Sequence, residues 1–320
     1  MVINAAARLL MGGISVLALL AGAVAVGQNG AQQPIFATPA DPGGTTITTA
    51  TPSGSAAAAS PAVRATREAL AEMLIDPPYT FNPDHMKASD FGPFFTGTAA
   101  TVRTETVLLA GTPYETTLTV LEGAVDGPTV FVVAGIHGDE TAGYSAGNLL
   151  KDISIAAGKL CVLSPANANG VANNSRYVTE RLDLNRSFPG KADGNAAEQI
   201  ACTILGQIEA LQPDLLLDLH EARMMSDKSD YLGSSLIYSD LAGMETLFFD
   251  LLFATQTGEI CGEPFAWYAP GPEGSVNRTV TGQLGIPAIT VETFRGYPLE
   301  RRIADQLAIV QYVLGYYDML

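Results

Sequence analysis

The sequence predicts an α/β fold: a mixed central β-sheet flanked by helices on both faces. Three observations predict it. From about residue 101 onward, strand-like and helix-like segments alternate, which is the pattern of a sheet covered by helices. Residues 128–135 (PTVFVVAG) form a continuous apolar run, as a strand covered on both sides requires. Residues 101–109 and 115–122 instead alternate apolar and polar side chains, as half-buried antiparallel strands do.

The elements follow in order. Residues 63–75 have helical periodicity and read as a leading helix packed on the domain. The two alternating strands come next, then the buried strand at 128–135, which runs into a helix at 139–151. Further strands are expected at 159–165, 214–218, 234–239 and 288–292, and helices at 195–211, 241–256 and 298–318. No internal repeat interrupts this series. The polar residues of interest fall just beyond strand ends, where open α/β sheets bind their ligands.

Composition narrows the function. The 320 residues are 47% hydrophobic and 16% charged, enough to bury a sizeable core. Seventeen Lys and Arg against 33 Asp and Glu give a formal charge of −16. A nucleic-acid binder needs a basic footprint, and none is visible. Three cysteines exclude a disulfide framework and a Cys-rich zinc module. One disulfide among Cys161, Cys202 and Cys261 stays open, with three pairings and one thiol left over.

The N-terminus reads as a targeting segment. Arg8 precedes an uncharged apolar run at 9–26, and Ala23-Val24-Ala25 is an A-x-A-like cleavage site. Residues 1–27 are therefore expected to be a signal peptide, with an uncleaved N-terminal anchor as the competing reading. Either places the protein outside the cytoplasm, periplasmic or secreted, and a membrane is a partner only if the segment stays uncleaved. Residues 28–62 are rich in Ala, Thr, Ser and Pro and read as a disordered linker. The functional domain is expected at 63–320.

Three histidines are few enough to take singly. His137 and Glu140 lie three apart in GIHGDE, on a tight turn that opens a helix, so an imidazole and a carboxylate converge on one point. His220 leaves a second strand end in DLHEA. Two histidines and one glutamate with an open fourth position form a catalytic zinc set. Each histidine alone also has a structural reading as a satisfied strand-end residue, and His85 stays unassigned. Arg176, Arg181 and Arg186 fall within eleven residues of an acidic chain and make a local cationic pocket. An arginine fork matches a carboxylate bidentately; the alternative is a solvated, salt-bridged loop. Glu292 ends an apolar strand, where a carboxylate is costly unless it has a task or an ion-pair partner.

GIHGDE, RLDLNRSFPG, DLHEA and TVETF, in this order, resemble the zinc carboxypeptidase superfamily. Within it they are most similar to the succinylglutamate desuccinylase/aspartoacylase group, over roughly residues 105–300. The resemblance implies a zinc-carboxypeptidase-like fold and one Zn²⁺ per chain on His137, Glu140 and His220. It implies that Asn185 and Arg186 hold the free carboxylate of the substrate, that Arg176 polarises the scissile carbonyl, and that Glu292 is the catalytic glutamate. Tyr268, upstream of Gly274-Ser275, resembles the mobile tyrosine of carboxypeptidases. The 28 residues after Glu292 read as one closing helix, not as the additional β domain of the aspartoacylases.

The expected activity is hydrolysis of an amide bond beside a free carboxylate, on a small N-acyl amino acid. An exported carboxypeptidase acting on peptides or cell-wall peptides is the alternative, and a non-catalytic peptide-binding module is an alternative of another class. Gly143-Tyr144-Ser145-Ala146-Gly147 also matches the G-x-S-x-G elbow of serine hydrolases. That elbow needs its serine directly after a strand, whereas Ser145 falls inside the expected helix. Small residues packing that helix against the sheet account for the motif better.

Overall fold

The computed structural model describes residues 99–223 and 232–320. The expected signal segment, linker and leading helix, and His85, lie outside the described residues. Eight strands form one sheet: β1 (Val102–Leu108), β2 (Thr116–Glu122), β3 (Val125–Ala134), β4 (Ala157–Leu163), β5 (Leu215–Ala222), β6 (Ser235–Tyr238), β7 (Ala266–Tyr268) and β8 (Ala288–Phe294). Their spatial order is β1-β2-β4-β3-β5-β8-β6-β7. The central run β4-β3-β5-β8 is parallel, while the β1–β2, β2–β4 and β6–β8 pairs are antiparallel. The helices are α1 (Thr141–Leu150), α2 (Ala168–Ala172), α3 (Ala196–Leu211), α4 (Glu245–Gln256), α5 (Val276–Thr279) and α6 (Leu299–Tyr316). None of them is long and apolar enough to cross a membrane.

Strand alternation divides the interior into two cores. Val130, Val132 and Ala134 of β3 join Leu215, Leu217 and Leu219 of β5 and Ile289 and Val291 of β8 on one face, under α1, α4 and α6. Phe131, Val133, Leu216 and Ala288 point the other way, under α3 and α5. The expected mixed sheet with helices on both faces is what forms, because side chains along a strand alternate between its two sides.

The helix-to-sheet distance explains Gly143-Tyr144-Ser145-Ala146-Gly147. A Cβ on Gly143 would stand 2.7 Å from the Leu219 carbonyl oxygen, and one on Gly147 would stand 2.7 Å from the Ala134 Cβ. Small residues are therefore required on that face of α1. Ser145 is buried inside the helix, with no hydrogen-bond partner for its Oγ, so it is not a nucleophile elbow. All three cysteines are free.

Several boundaries differ from the sequence expectation. α1 begins at Thr141, because Asp139 and Glu140 belong to the turn in which the Glu140 amide donates to the His137 carbonyl. β7 was not expected; three residues are too few to show a period. Most consequential, β5 continues past Asp218 to Ala222, so His220 and Glu221 are strand residues paired with Glu292 and Thr293 of β8.

The inner side of α6 also carries Asp305, 4% exposed. Its Oδ1 accepts from the Gly262 amide at 3.1 Å, and its Oδ2 lies 3.7 Å from Arg301 Nε. Burial dominates and pushes the carboxyl up to about 7, against the pull of Arg301 and the Gly262 N–H. Between about pH 4 and 7 the folded chain holds a proton here that the unfolded chain has released. Stability then falls as the pH rises through this window, by up to roughly 4 kcal/mol from this group. Asp305→Asn keeps the acceptor for Gly262 and removes the titration. Denaturant unfolding of both proteins at pH 4.5 and 7.5 should show the variant gaining on the wild type at the higher pH; equal pH slopes would refute this assignment.

Candidate metal centre

β3 ends at Ala134, and Gly135 turns the chain with φ +74°, a conformation that favours glycine. Here a Cβ would also press on Tyr144 at 2.9 Å. This turn delivers His137, and the chain reaches Glu140 where α1 starts. His220 arrives from β5. Asp218, His220, Thr290 and Glu292 share the sheet face of Leu216 and Ala288, by strand period and by the β5–β8 register.

The three predicted ligands converge. The two carboxylate oxygens of Glu140 stand 2.8 Å from His137 Nδ1 and 2.7 Å from His220 Nδ1, and the two Nδ1 atoms are 3.1 Å apart. One ligand atom from each residue lies within 4.8 Å of the others, and all three residues are buried. The opposite ring nitrogens meet carboxylates: His137 Nε2 lies 3.2 Å from Asp183 Oδ1, and His220 Nε2 lies 2.9 Å from Asp218 Oδ1. A carboxylate behind each imidazole is the usual support of a metal-binding histidine, because it fixes the tautomer and leaves the facing nitrogen as a lone-pair donor. Two such nitrogens facing one carboxylate at this range suit a cation between them. The residues therefore fit a divalent metal of the zinc type.

The electrostatics agree. Burial works to raise the Glu140 carboxyl, but the His137 and His220 imidazoles overcome it and hold the group well below the usual carboxylate range. Burial likewise opposes protonation of His220, and Asp218 and Glu140 together raise it well above its ordinary value. Both shifts record the same close contact of imidazoles with carboxylates in a buried site.

His137 and Glu140 open onto a cavity of about 340 Å³. Glu292 lines it and is 8% exposed. Burial pushes its carboxyl up to about 8; Glu140 and Asp218 add to the rise, while His220 and Arg176 oppose it. Arg176 lines the cavity too. Its Nε and Nη2 donate to Asp183 Oδ2 at 3.1 and 2.9 Å, which leaves Nη1 toward the site, 3.6 Å from Glu140 Oε1. Asn185 is buried; its Oδ1 accepts from the Val276 amide, and its Nδ2 stands 3.3 Å from His220 Nε2. Arg186 is exposed at the cavity, and its Nη1 donates to the Asn185 carbonyl. Tyr268 sits on β7 and is not among the cavity-lining residues.

The structure also assembles residues that the sequence reading gave no role. Asp183 joins His137 to Arg176, and Asp218 backs His220. Period two along β5 already places Asp218 on the side of His220; Asp183 offers no such signal. Arg223 lines the cavity and shares Asp139 with Arg295, at 2.7 and 3.1 Å.

Residues 126–315, more than half of the chain, match the model of the succinylglutamate desuccinylase/aspartoacylase catalytic domain. An N-alpha-acetyl-L-2,4-diaminobutyric acid deacetylase of Halomonas elongata is 30% identical over 118 residues, 35% of this chain and 34% of the relative. Among solved structures, the product-bound ectoine utilization protein EutE (DoeB) of Ruegeria pomeroyi is similar with TM-score 0.52 at 23% identity, covering 64% of this chain and 62% of that one. The mDAP-bound D,L-carboxypeptidase Csd4 of Helicobacter pylori is similar with TM-score 0.51 at 18% identity, covering 61% and 52%. The chain thus spans about a third of the curated relative and under two thirds of these structures.

Asp218→Asn removes the charge behind His220 while keeping the side chain's size. Its affinity for zinc, measured by competition with a chromogenic chelator, should fall on the order of 10–100-fold. Unchanged affinity would show that Asp218 does not support the ligand.

Proposed function

The chain belongs to the succinylglutamate desuccinylase/aspartoacylase family, and from that premise we propose that it is a zinc-dependent hydrolase of an amide bond beside a free carboxylate, releasing an amino acid from its N-acyl derivative. The observation that carries this reading is the pairing of His220 with Glu292 across β5 and β8. It sets a buried carboxyl beside the His–Glu–His cluster, at one cavity.

A zinc ion held by His137, Glu140 and His220 would polarise the amide carbonyl and lower the pKa of water from about 15.7 to about 7. Glu292 takes the proton of the attacking water and returns it to the leaving amine. A carboxyl raised by burial toward neutrality is matched to both transfers. Arg176, braced by Asp183, holds positive charge where the carbonyl oxygen becomes negative, a preorganised form of stabilisation. Arg186 anchors the free carboxylate of the substrate through its planar fork, with Asn185 Nδ2 as a second donor. The small N-acyl substrate suits the cavity of about 340 Å³. The proposal keeps residues 1–27 as an export signal or anchor and 28–62 as a tether; the apolar run at 9–26 supports it, and N-terminal sequencing of the mature chain tests it.

The direct test is metal content with and without chelation, alongside hydrolysis of N-acyl amino acids and of peptides with free C-termini. About one zinc per chain, with activity lost on chelation and restored by zinc, is expected. Preference for the peptides would turn the reading to a carboxypeptidase, and bound zinc without turnover of either set would turn it to a binding module. No bound metal would overturn the reading.

Glu292→Gln should retain zinc and lose roughly 10²–10⁴-fold or more in kcat; near-wild-type turnover would remove Glu292 from the mechanism. Arg186→Ala should weaken kcat/KM by about 2–5 kcal/mol on substrates with a free carboxylate. Amidating that carboxylate should abolish the difference between variant and wild type, and an equal loss on the amidated substrate would contradict the anchor role.

A further inference from the structure

Glu221 is buried next to His220 and is left unused by the proposed chemistry. It contacts the site twice. Its backbone N–H donates to Glu140 Oε2 at 3.1 Å, and its side-chain Oε2 accepts the Ala142 N–H at 3.0 Å. Ala142 lies in the first turn of α1, whose N-cap is Glu140 itself, and Glu140 makes no side-chain cap bond. The first amides of a helix lack partners within it and need an acceptor. Glu221 supplies that acceptor from another strand and so holds the backbone on which Glu140 is mounted. Its remaining oxygen, Oε1, pairs with Arg302 of α6, whose side chain is 13% exposed. Four residues on, Gln306 is fully buried and donates to the His220 carbonyl at 2.9 Å and to Thr293 Oγ1 at 3.0 Å. A buried ion pair is weak ground for stability, since apolar residues of the same volume often serve as well. The bonds of this one lead to a predicted ligand.

We propose that Glu221, held by Arg302, is a positioning residue that orients Glu140 for the metal through both its amide and its carboxylate. The inference rests on the metal reading of the site. It makes α6 a support of the metal centre reaching in from the opposite face of the sheet.

The test measures zinc affinity by chelator competition, and in parallel the stability of the metal-free protein. Glu221→Ala should lower zinc affinity on the order of 10–100-fold, the range seen when a partner behind a metal ligand is lost. Glu221→Gln, whose amide oxygen still accepts from Ala142, should recover part of that loss. Val310→Ala, a cavity in the same helix, serves as the control for destabilisation alone and should keep wild-type affinity. If Glu221→Ala and Glu221→Gln bind zinc as tightly as the wild type and lose only stability, as Val310→Ala does, the positioning role is overturned and the metal reading stands. A wild-type chain that binds no zinc overturns both.

Discussion

The parallel pairing of β5 with β8 sets the terms for the rest of the molecule. A strand covered on both sides has two inner faces, and its side chains alternate between them. In β5 and β8 one face is apolar from Leu217 and Ile289 to Leu219 and Val291, under α1, α4 and α6, and turns polar only at its end with Glu221 beside Thr293. The other begins apolar with Leu216 and Ala288 and then turns polar, with Asp218 beside Thr290 and His220 beside Glu292. A slip of one residue in either strand would move its polar set into an apolar core. The apolar residues therefore hold the register, and the register places His220 next to the carboxyl of Glu292. Stability and site geometry are properties of the same hydrogen-bonded ladder.

The site gathers buried and half-buried charges, most of them answered locally. Glu140 lies between two imidazoles; Asp183 lies between His137 and Arg176; Asp139 takes both Arg223 and Arg295. Burial raises the Asp183 carboxyl, but His137 and Arg176 more than reverse this and hold it well below the usual carboxylate range. Glu292 is the exception, since burial and two neighbouring carboxylates leave it raised. A carboxyl raised by burial beside others held well below the usual range is the pattern expected where acid–base chemistry occurs. The overall charge of −16 does not describe this interior, where Arg176, Arg186 and Arg223 all face one cavity.

Much of this was legible beforehand. Apolar continuity at 128–135 and alternation at 101–109 and 115–122 identified β3, β1 and β2, because period and composition are local properties. The His–Glu–His cluster was legible in GIHGDE and DLHEA because the residue types are few and chemically distinctive. Boundaries were less so. A strand from Leu215 to Ala222 passes through Asp218, His220 and Glu221, whose polarity reads as a strand end until a neighbouring strand is there to pair with them. Three-residue β7, which carries Tyr268, left no signal.

By itself the sequence determined the fold class, the family and the residues proposed as metal ligands and acid–base group, since all of these reside in residue type and short-range spacing. Tertiary structure alone decided what stands behind them. Asp183 reaches His137 across 46 positions of chain, Glu221 reaches Ala142 across 79, and Gln306 reaches His220 across 86. Local periodicity carries no information about such distances, and only tertiary packing brings these groups within hydrogen-bonding range.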